Sequence, residues 1–200
     1  IETLARVDVL CVDKTGTITE PHMEVGEVAY LDEEKYAETV VTETLNAFYQ
    51  SMEADNDTAR AMAQKFHGKS LWHAAQTIPF TSATKWSAVN FLDRGAYVVG
   101  APEYILGQDF AALEKRTAPY AAQGCRVLLL AQCDGAEIGR LHGVVIPLAL
   151  LVLENPIRPN APKVFDYFHT QGVDVKVISG DNPVTVSAVA AQAGIRNAEQ

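Results

Sequence analysis

Two hundred residues suffice for one large domain or two small ones, and a chain with 48% apolar and 20% charged residues can bury its own core. The net charge of -9 argues against a non-specific nucleic-acid binder, although a local cluster of Lys, Arg and main-chain N–H groups would still take an anion. Cys11, Cys125 and Cys133 are scattered, show no CxxC spacing and read as small core hydrophobes in a reducing compartment; the five histidines show no metal-ligand spacing.

Val7 to Val12 is β-branched and apolar and predicts a short buried strand that runs straight into "DKTGT" at 13–17. Met23 to Leu31 alternates weakly as a second strand. Asp32 to Met52 has helical spacing, with Tyr36, Val40, Val41, Thr44, Leu45 and Phe48 expected on one face. Glu53 to Gly68 predicts a second helix, capped by Asp55, Asn56 or Asp57 and stopped by Gly68. From Gln76 to Val99 the pattern turns to strands, with a hairpin at Asp93-Arg94-Gly95. Ala101 to Ala122 is mostly helical, 126–132 is a buried strand, Asp134-Gly135 a turn and 138–153 further strand. The longest apolar run, "VVIPLALLVL" at 144–153, is about half the ~20 residues of a membrane span and contains Pro147, so it reads as buried strand.

From Glu154 the chain gives a Pro-rich loop, a helix, the strand "VKVISG" at 175–180, a Gly-Asp loop and a helix with Asn182 as cap and Pro183 in its first turn. That is a βα unit with parallel-sheet character. The two ends of the chain therefore predict one α/β layer, residues 1–25 and 150–200, interrupted by an α+β insertion at 26–149.

Open α/β sheets hold ligands at the C-terminal ends of their strands. Asp13 stands at one such end and Ser179-Gly180-Asp181-Asn182 at another. A carboxylate placed there can attack phosphorus and become an aspartyl-phosphate. Thr15, Gly16, Thr17 and Ser179 would donate hydrogen bonds to the phosphoryl oxygens, and Mg²⁺ would screen Asp13 from the phosphate.

"DKTGTIT" at 13–19 resembles the phosphorylation signature of the P-type ATPases, ion pumps of the haloacid dehalogenase superfamily. "ISGDN" at 178–182 is similar to their T-G-D-N loop, with Ser179 for Thr. "ENPIRP" at 154–159 resembles their D-P-x-R element, with Asn155 where Asp is usual. "PFTSATKWSAV" at 79–89, "VGAPEYIL" at 99–106, "GCRVLLLA" at 124–131 and "DNDTARAM" at 55–62 are similar to segments of their nucleotide-binding domain, with Val99 where a lysine is usual.

This resemblance implies a partial haloacid-dehalogenase-like Rossmannoid parallel sheet, the phosphorylation domain, with an inserted nucleotide-binding domain on an antiparallel sheet. It implies that Asp13 is the nucleophile and that Lys14 helps neutralise the phosphoryl group. Thr15 would contact phosphate and, with Asp13, hold Mg²⁺; Ser179 would bind a phosphate oxygen. Phe80 becomes the adenine platform and Lys85 a cation near the nucleotide. Gly100, Arg126 and Asp57 would line the site, and Arg158 and Asp181 would orient the nucleotide.

The implied cofactors are Mg²⁺ and ATP. The implied partners are the transmembrane and actuator domains of a parent pump at the cytoplasmic face of the membrane. The family's later lysine strand and G-D-G-x-N-D loop do not occur in these residues, so the expectation for the isolated chain is nucleotide binding without turnover. Calcium is the expected cargo, with magnesium or a monovalent cation as alternatives; no His-Pro pair of the heavy-metal class is present. The alternative is a soluble phosphatase with the insertion as its cap. Such enzymes carry a second Asp two residues after the nucleophile, where this chain has Thr15.

Overall fold

A computed structural model describes residues 7–32, 37–180 and 183–198. Asp181, Asn182 and Tyr36, singled out above, lie outside these residues. The chain divides into two units: residues up to Met23, Pro119–Cys125 and Glu154 onward form one, and Glu24–Ala118 with Arg126–Leu153 form the other.

The first unit is built on β1 (Val9–Asp13) and β10 (Asp174–Ile178), paired in parallel with Asp13 opposite Ile178. The strand carries Asp13 itself as its last residue, one beyond the expected end. Period-2 alternation turns Val12, Val175 and Val177 inward. There they pack with Ile18 and with Ala161 and Phe165 of α5 (Ala161–Thr170). Ala190 of α6 (Pro183–Gln192) joins this core, as do Ala193 and Ile195 beyond it. The opposite strand face is open, with Ile178 63% exposed.

The second unit holds a six-stranded sheet in the order β2-β9-β6-β5-β4-β3. Its strands are β2 (Glu24–Tyr30), β3 (Ala74–Ile78), β4 (Trp86–Phe91), β5 (Gly95–Gly100), β6 (Arg126–Cys133) and β9 (Ile146–Glu154). The pairings from β3 through β9 are antiparallel. Trp86, Ala88, Ala96, Val98, Leu129 and Leu150 form one buried face with Ile105 of α3 (Pro102–Leu106). By the same register Thr77, Ser87, Val89, Val99 and Leu130 belong to the other face. The apolar run at 144–153 is thus strand material, and no helix among the described residues is long and apolar enough to cross a membrane.

The helix α1 begins at Glu38 and ends at Ser51. Its buried stripe is Val41, Thr44, Leu45 and Phe48, while Val40 is 43% exposed rather than on that face. A helix turns about 100° per residue, which carries Val40 off a stripe centred between Val41 and Phe48. In α2 (Asp57–Lys65) Asn56 is the cap: its Oδ1 accepts from Ala59 N at 2.9 Å. Gly68 does not stop this helix, which ends at Lys65. Its N–H instead donates to Asn46 Oδ1 at 3.0 Å.

The helical stretch after Ala101 is α3, a tight turn over Gly107–Phe110, and α4 (Ala111–Ala122). The strand expected over 138–153 is broken. A hairpin of β7 (Gly135–Glu137) and β8 (Arg140–His142) precedes β9, because the backbone turns at Gly143.

Gly100 is a point of close approach. A Cβ built there would lie 2.4 Å from Lys85 O and from Trp86 Cα, both main-chain atoms of the paired strand end. Backbone cannot yield as a side-chain tip can. Gly100→Ala is expected to lower the unfolding free energy by about 3 kcal/mol, and Asn56→Ala by about 1 kcal/mol. Urea unfolding followed by tryptophan fluorescence checks both.

Candidate phosphorylation loop and nucleotide cleft

The parallel register brings the C-terminal ends of β1 and β10 side by side, so Asp13 and the residue after Ile178, Ser179, occupy neighbouring strand ends. Asp13 is exposed, and its Oδ1 accepts from Lys14 N at 2.9 Å. From Lys14 to Ile18 the chain makes one wide turn, closed by Thr19 N donating to Lys14 O at 3.1 Å. Gly16 sits in the left-handed region at φ +78°, a conformation that a side chain disfavours. Lys14 is only 7% exposed, whereas Thr15 and Thr17 face solvent. The turn therefore presents a carboxylate and two threonine side chains on exposed residues.

The Asp13 carboxylate and the Thr15 carbonyl are hard oxygen donors on exposed residues, a donor set that suits Mg²⁺ with water or phosphate completing its shell. Among the described residues no group of three or more His, Cys, Asp or Glu is placed to hold a metal ion by itself.

In the second unit a cleft of about 940 Å³ opens on the sheet face that carries Thr77, Ser87 and Val99. Phe48 and Tyr49 of α1, and Asn56, Asp57 and Thr58 at the start of α2, supply its other wall. Phe80, Lys85, Gly100, Arg126 and Asp57 all line it, though they are up to 69 positions apart in the chain, the span from 57 to 126. Phe80 is 44% exposed, an aromatic ring left at the cleft surface instead of being spent on the core. Burial pushes the Tyr49 hydroxyl well above its usual range. Val99, where the resemblance expects a lysine, gives the floor an apolar side chain.

Arg158 lies in the other unit. Its guanidinium donates to Gly16 O at 2.8 Å and stands 3.7 Å from the Glu20 carboxylate. Ser179 is half-buried at its strand end.

Three features carry no clear signal in the sequence. Arg126 donates to the Thr58 hydroxyl, so the first turn of α2 holds the guanidinium within the cleft. An Asp-Thr pair just after a helix cap is the sole hint of it. Glu53, Asp55 and Glu103 add negative charge to the lining beside Asp57. Lys85 has a left-handed backbone at φ +60°, held by its N–H donating to Thr81 O at 2.9 Å and by Ala101 N donating to its own carbonyl at 2.9 Å. A non-glycine residue in that region is strained, and such strain concentrates at binding sites.

A profile for hydrolases of the haloacid dehalogenase-like type matches residues 7–199, and the chain belongs to that family. Within it, the chain is similar to cation-transporting ATPases. It is 48% identical over 197 residues to the calcium-transporting ATPase CtpE of Mycobacterium tuberculosis, covering 98% of this chain and 24% of that protein. It is 41% identical over 198 residues to the probable cation-transporting ATPase exp7 of Streptococcus pneumoniae, covering 97% of this chain and 25% of that one. The chain thus spans about a quarter of the length of these curated relatives. A crystal structure of a zinc-transporting PIB-type ATPase in its E2.Pi state shares the fold, with a TM-score of 0.74 over 97% of this chain and 29% of that one at 20% identity.

The strain at Lys85 can be separated from its charge. Both Lys85→Ala and Lys85→Gly remove the cation, but only glycine relieves the backbone. The glycine variant is expected to be the more stable of the two by about 1 kcal/mol, read from their urea midpoints.

Proposed function

We propose that the chain is the ATP-binding and phosphorylation region of a P-type cation-transporting ATPase, with Asp13 the group phosphorylated. The observation that carries this reading is the register of β1 on β10, which puts an exposed carboxylate and a serine at adjacent strand ends beside a glycine-bearing turn.

In the reaction an Asp13 carboxylate oxygen attacks the γ-phosphorus of ATP. A bond forms between that oxygen and phosphorus, the bond to the β,γ-bridging oxygen breaks, and ADP departs with the electron pair. Lys14 and the Thr15 and Thr17 hydroxyls offset charge on the equatorial oxygens, and Ser179, which follows the second strand, binds one of them. Asp181 keeps the role the resemblance implies, orienting the nucleotide. Mg²⁺, held by Asp13 and Thr15, would supply charge neutralisation when bound.

The cleft of the second unit takes the nucleoside. Phe80 stacks on adenine, and Asp57 and Gly100 border the base and sugar. Lys85 and Arg126 face the phosphates. Arg158 is not assigned a nucleotide contact: its guanidinium is engaged by Gly16 O and the Glu20 carboxylate. A threonine at position 15, in place of a second aspartate, leaves no carboxylate there to act as general base toward water, which suits an acyl-phosphate that must outlive the transfer step.

In the parent protein this intermediate would drive alternating access through transmembrane and actuator domains, with this region at the cytoplasmic face. The cargo proposed is calcium, the ion in the name of the CtpE relatives.

In the full-length ATPase, Asp13→Asn is expected to abolish the hydroxylamine-sensitive phosphoenzyme formed from radiolabelled ATP while nucleotide binding remains. Phe80→Ala is expected to weaken ATP binding about tenfold or more, the loss of a stacked aromatic contact, in a calorimetric titration. Undiminished phosphoenzyme in Asp13→Asn would overturn the reading.

A further inference from the structure

Residues 155–158 depart from the resembled motif at their first position, and the departure has a partner set of its own. Asn155 Nδ2 donates to His22 O at 2.8 Å and reaches Glu20 O at 3.5 Å. Both partners are main-chain carbonyls, which only accept. A carboxylate at this position would set acceptor against acceptor, so the amide is the group that these partners require.

The surrounding main chain forms a short two-stranded brace. Thr19 and Ile157 make an antiparallel bridge, Glu20 N donates to Pro156 O at 2.7 Å, and Arg158 N donates to Ile18 O at 3.0 Å. At the far end the Arg158 guanidinium donates to Gly16 O at 2.8 Å, inside the turn that follows Asp13. Every one of these bonds lies within the first unit.

We propose that Asn155 and Arg158 are positioning residues: they hold the segment Gly16–His22 from its two ends and so fix the turn that carries Asp13. The bracing stands on these bonds alone. Its use in phosphoryl transfer rests on the function proposed above, and the two can fail separately.

The test is run on the full-length ATPase, with two readouts. Amide hydrogen exchange at Glu20 and Arg158 reports the brace directly, and exchange in β1 and β10 reports that the first unit is folded. The rate of phosphoenzyme formation and the apparent KM for ATP report function.

Asn155→Asp is expected to speed exchange at Glu20 and Arg158 about tenfold at about pH 7.5, and to slow phosphorylation about tenfold with KM unchanged within about twofold. When acid protonates the introduced carboxyl, the group becomes a donor again and recovers protection. Asn155→Leu shows the same losses with no recovery. Glu20, His22, Glu154, Arg158 and Lys14 are the charged or titratable groups around this position, so wild type measured at each pH supplies the reference.

Should Asn155→Asp not fold, Arg158→Leu decides the matter: faster exchange at Thr19 and slower phosphorylation at unchanged KM, with Arg158→Lys restoring most of both. Unaltered exchange, a loss in Asn155→Asp that does not recover with acid, or a raised KM at full maximal rate in Arg158→Leu each overturn the proposal. Altered exchange with unaltered phosphorylation would keep the brace and refute its catalytic use.

Discussion

Everything in the first unit follows from one pairing, β1 parallel to β10 with Asp13 opposite Ile178. Parallel strands point their C-terminal ends the same way, so the loops leaving them share one edge of the sheet. An antiparallel pairing would have sent the Asp13 turn and the Ser179 loop to opposite ends. A slip of β1 by one residue would have turned Val12 from the core to solvent, which the cluster around Ile18 and Phe165 opposes. The hydrophobic pattern that fixes this register therefore also sets the chemistry.

In the second unit the corresponding constraint is a sheet covered unequally on its two faces. One face is filled by Trp86, Val98, Leu129 and Leu150 against α3. The other carries Ser87 and Val99 at the floor of a cleft whose wall comes from α1 and the start of α2. The tight approach of Gly100 to Lys85 and Trp86 draws the strand ends together, and the left-handed Lys85 turns the chain beside the cleft at the cost of backbone strain. Arg126, held by Thr58, reaches in from the start of β6. Side chains from separate segments converge because the sheet order interleaves them.

Much of this was legible in the sequence because it depends on short-range patterns. Asp13 could be read as a strand-end carboxylate from the apolar run before it and the Gly-containing turn after it. The antiparallel pairing of β4 with β5 followed from the hairpin signal at Asp93-Arg94-Gly95, while the antiparallel sheet of the insertion as a whole came with the resemblance. The cap at Asn56 was one of three adjacent candidates, and only the dihedral angles of the backbone choose among them. What the sequence hid depends on contacts between distant residues. The donor role of the Asn155 amide requires His22 and Glu20, more than 130 positions away. Nothing local marks Arg158 as a partner of Gly16, or Thr58 as a partner of Arg126. Gly68 looked like a helix stop because glycine commonly is one, but the asparagine at 46 claims its N–H.

The most direct measurement is identification of the phosphorylated residue by mass spectrometry. The full-length ATPase would be exposed briefly to ATP and Mg²⁺, quenched in acid and digested. The account predicts that the phosphoryl group sits on the peptide containing "CVDKTGT", on Asp13, as an acyl-phosphate that hydroxylamine removes. Phosphate on any other residue, or ATP hydrolysis with no phosphorylated peptide, would contradict it.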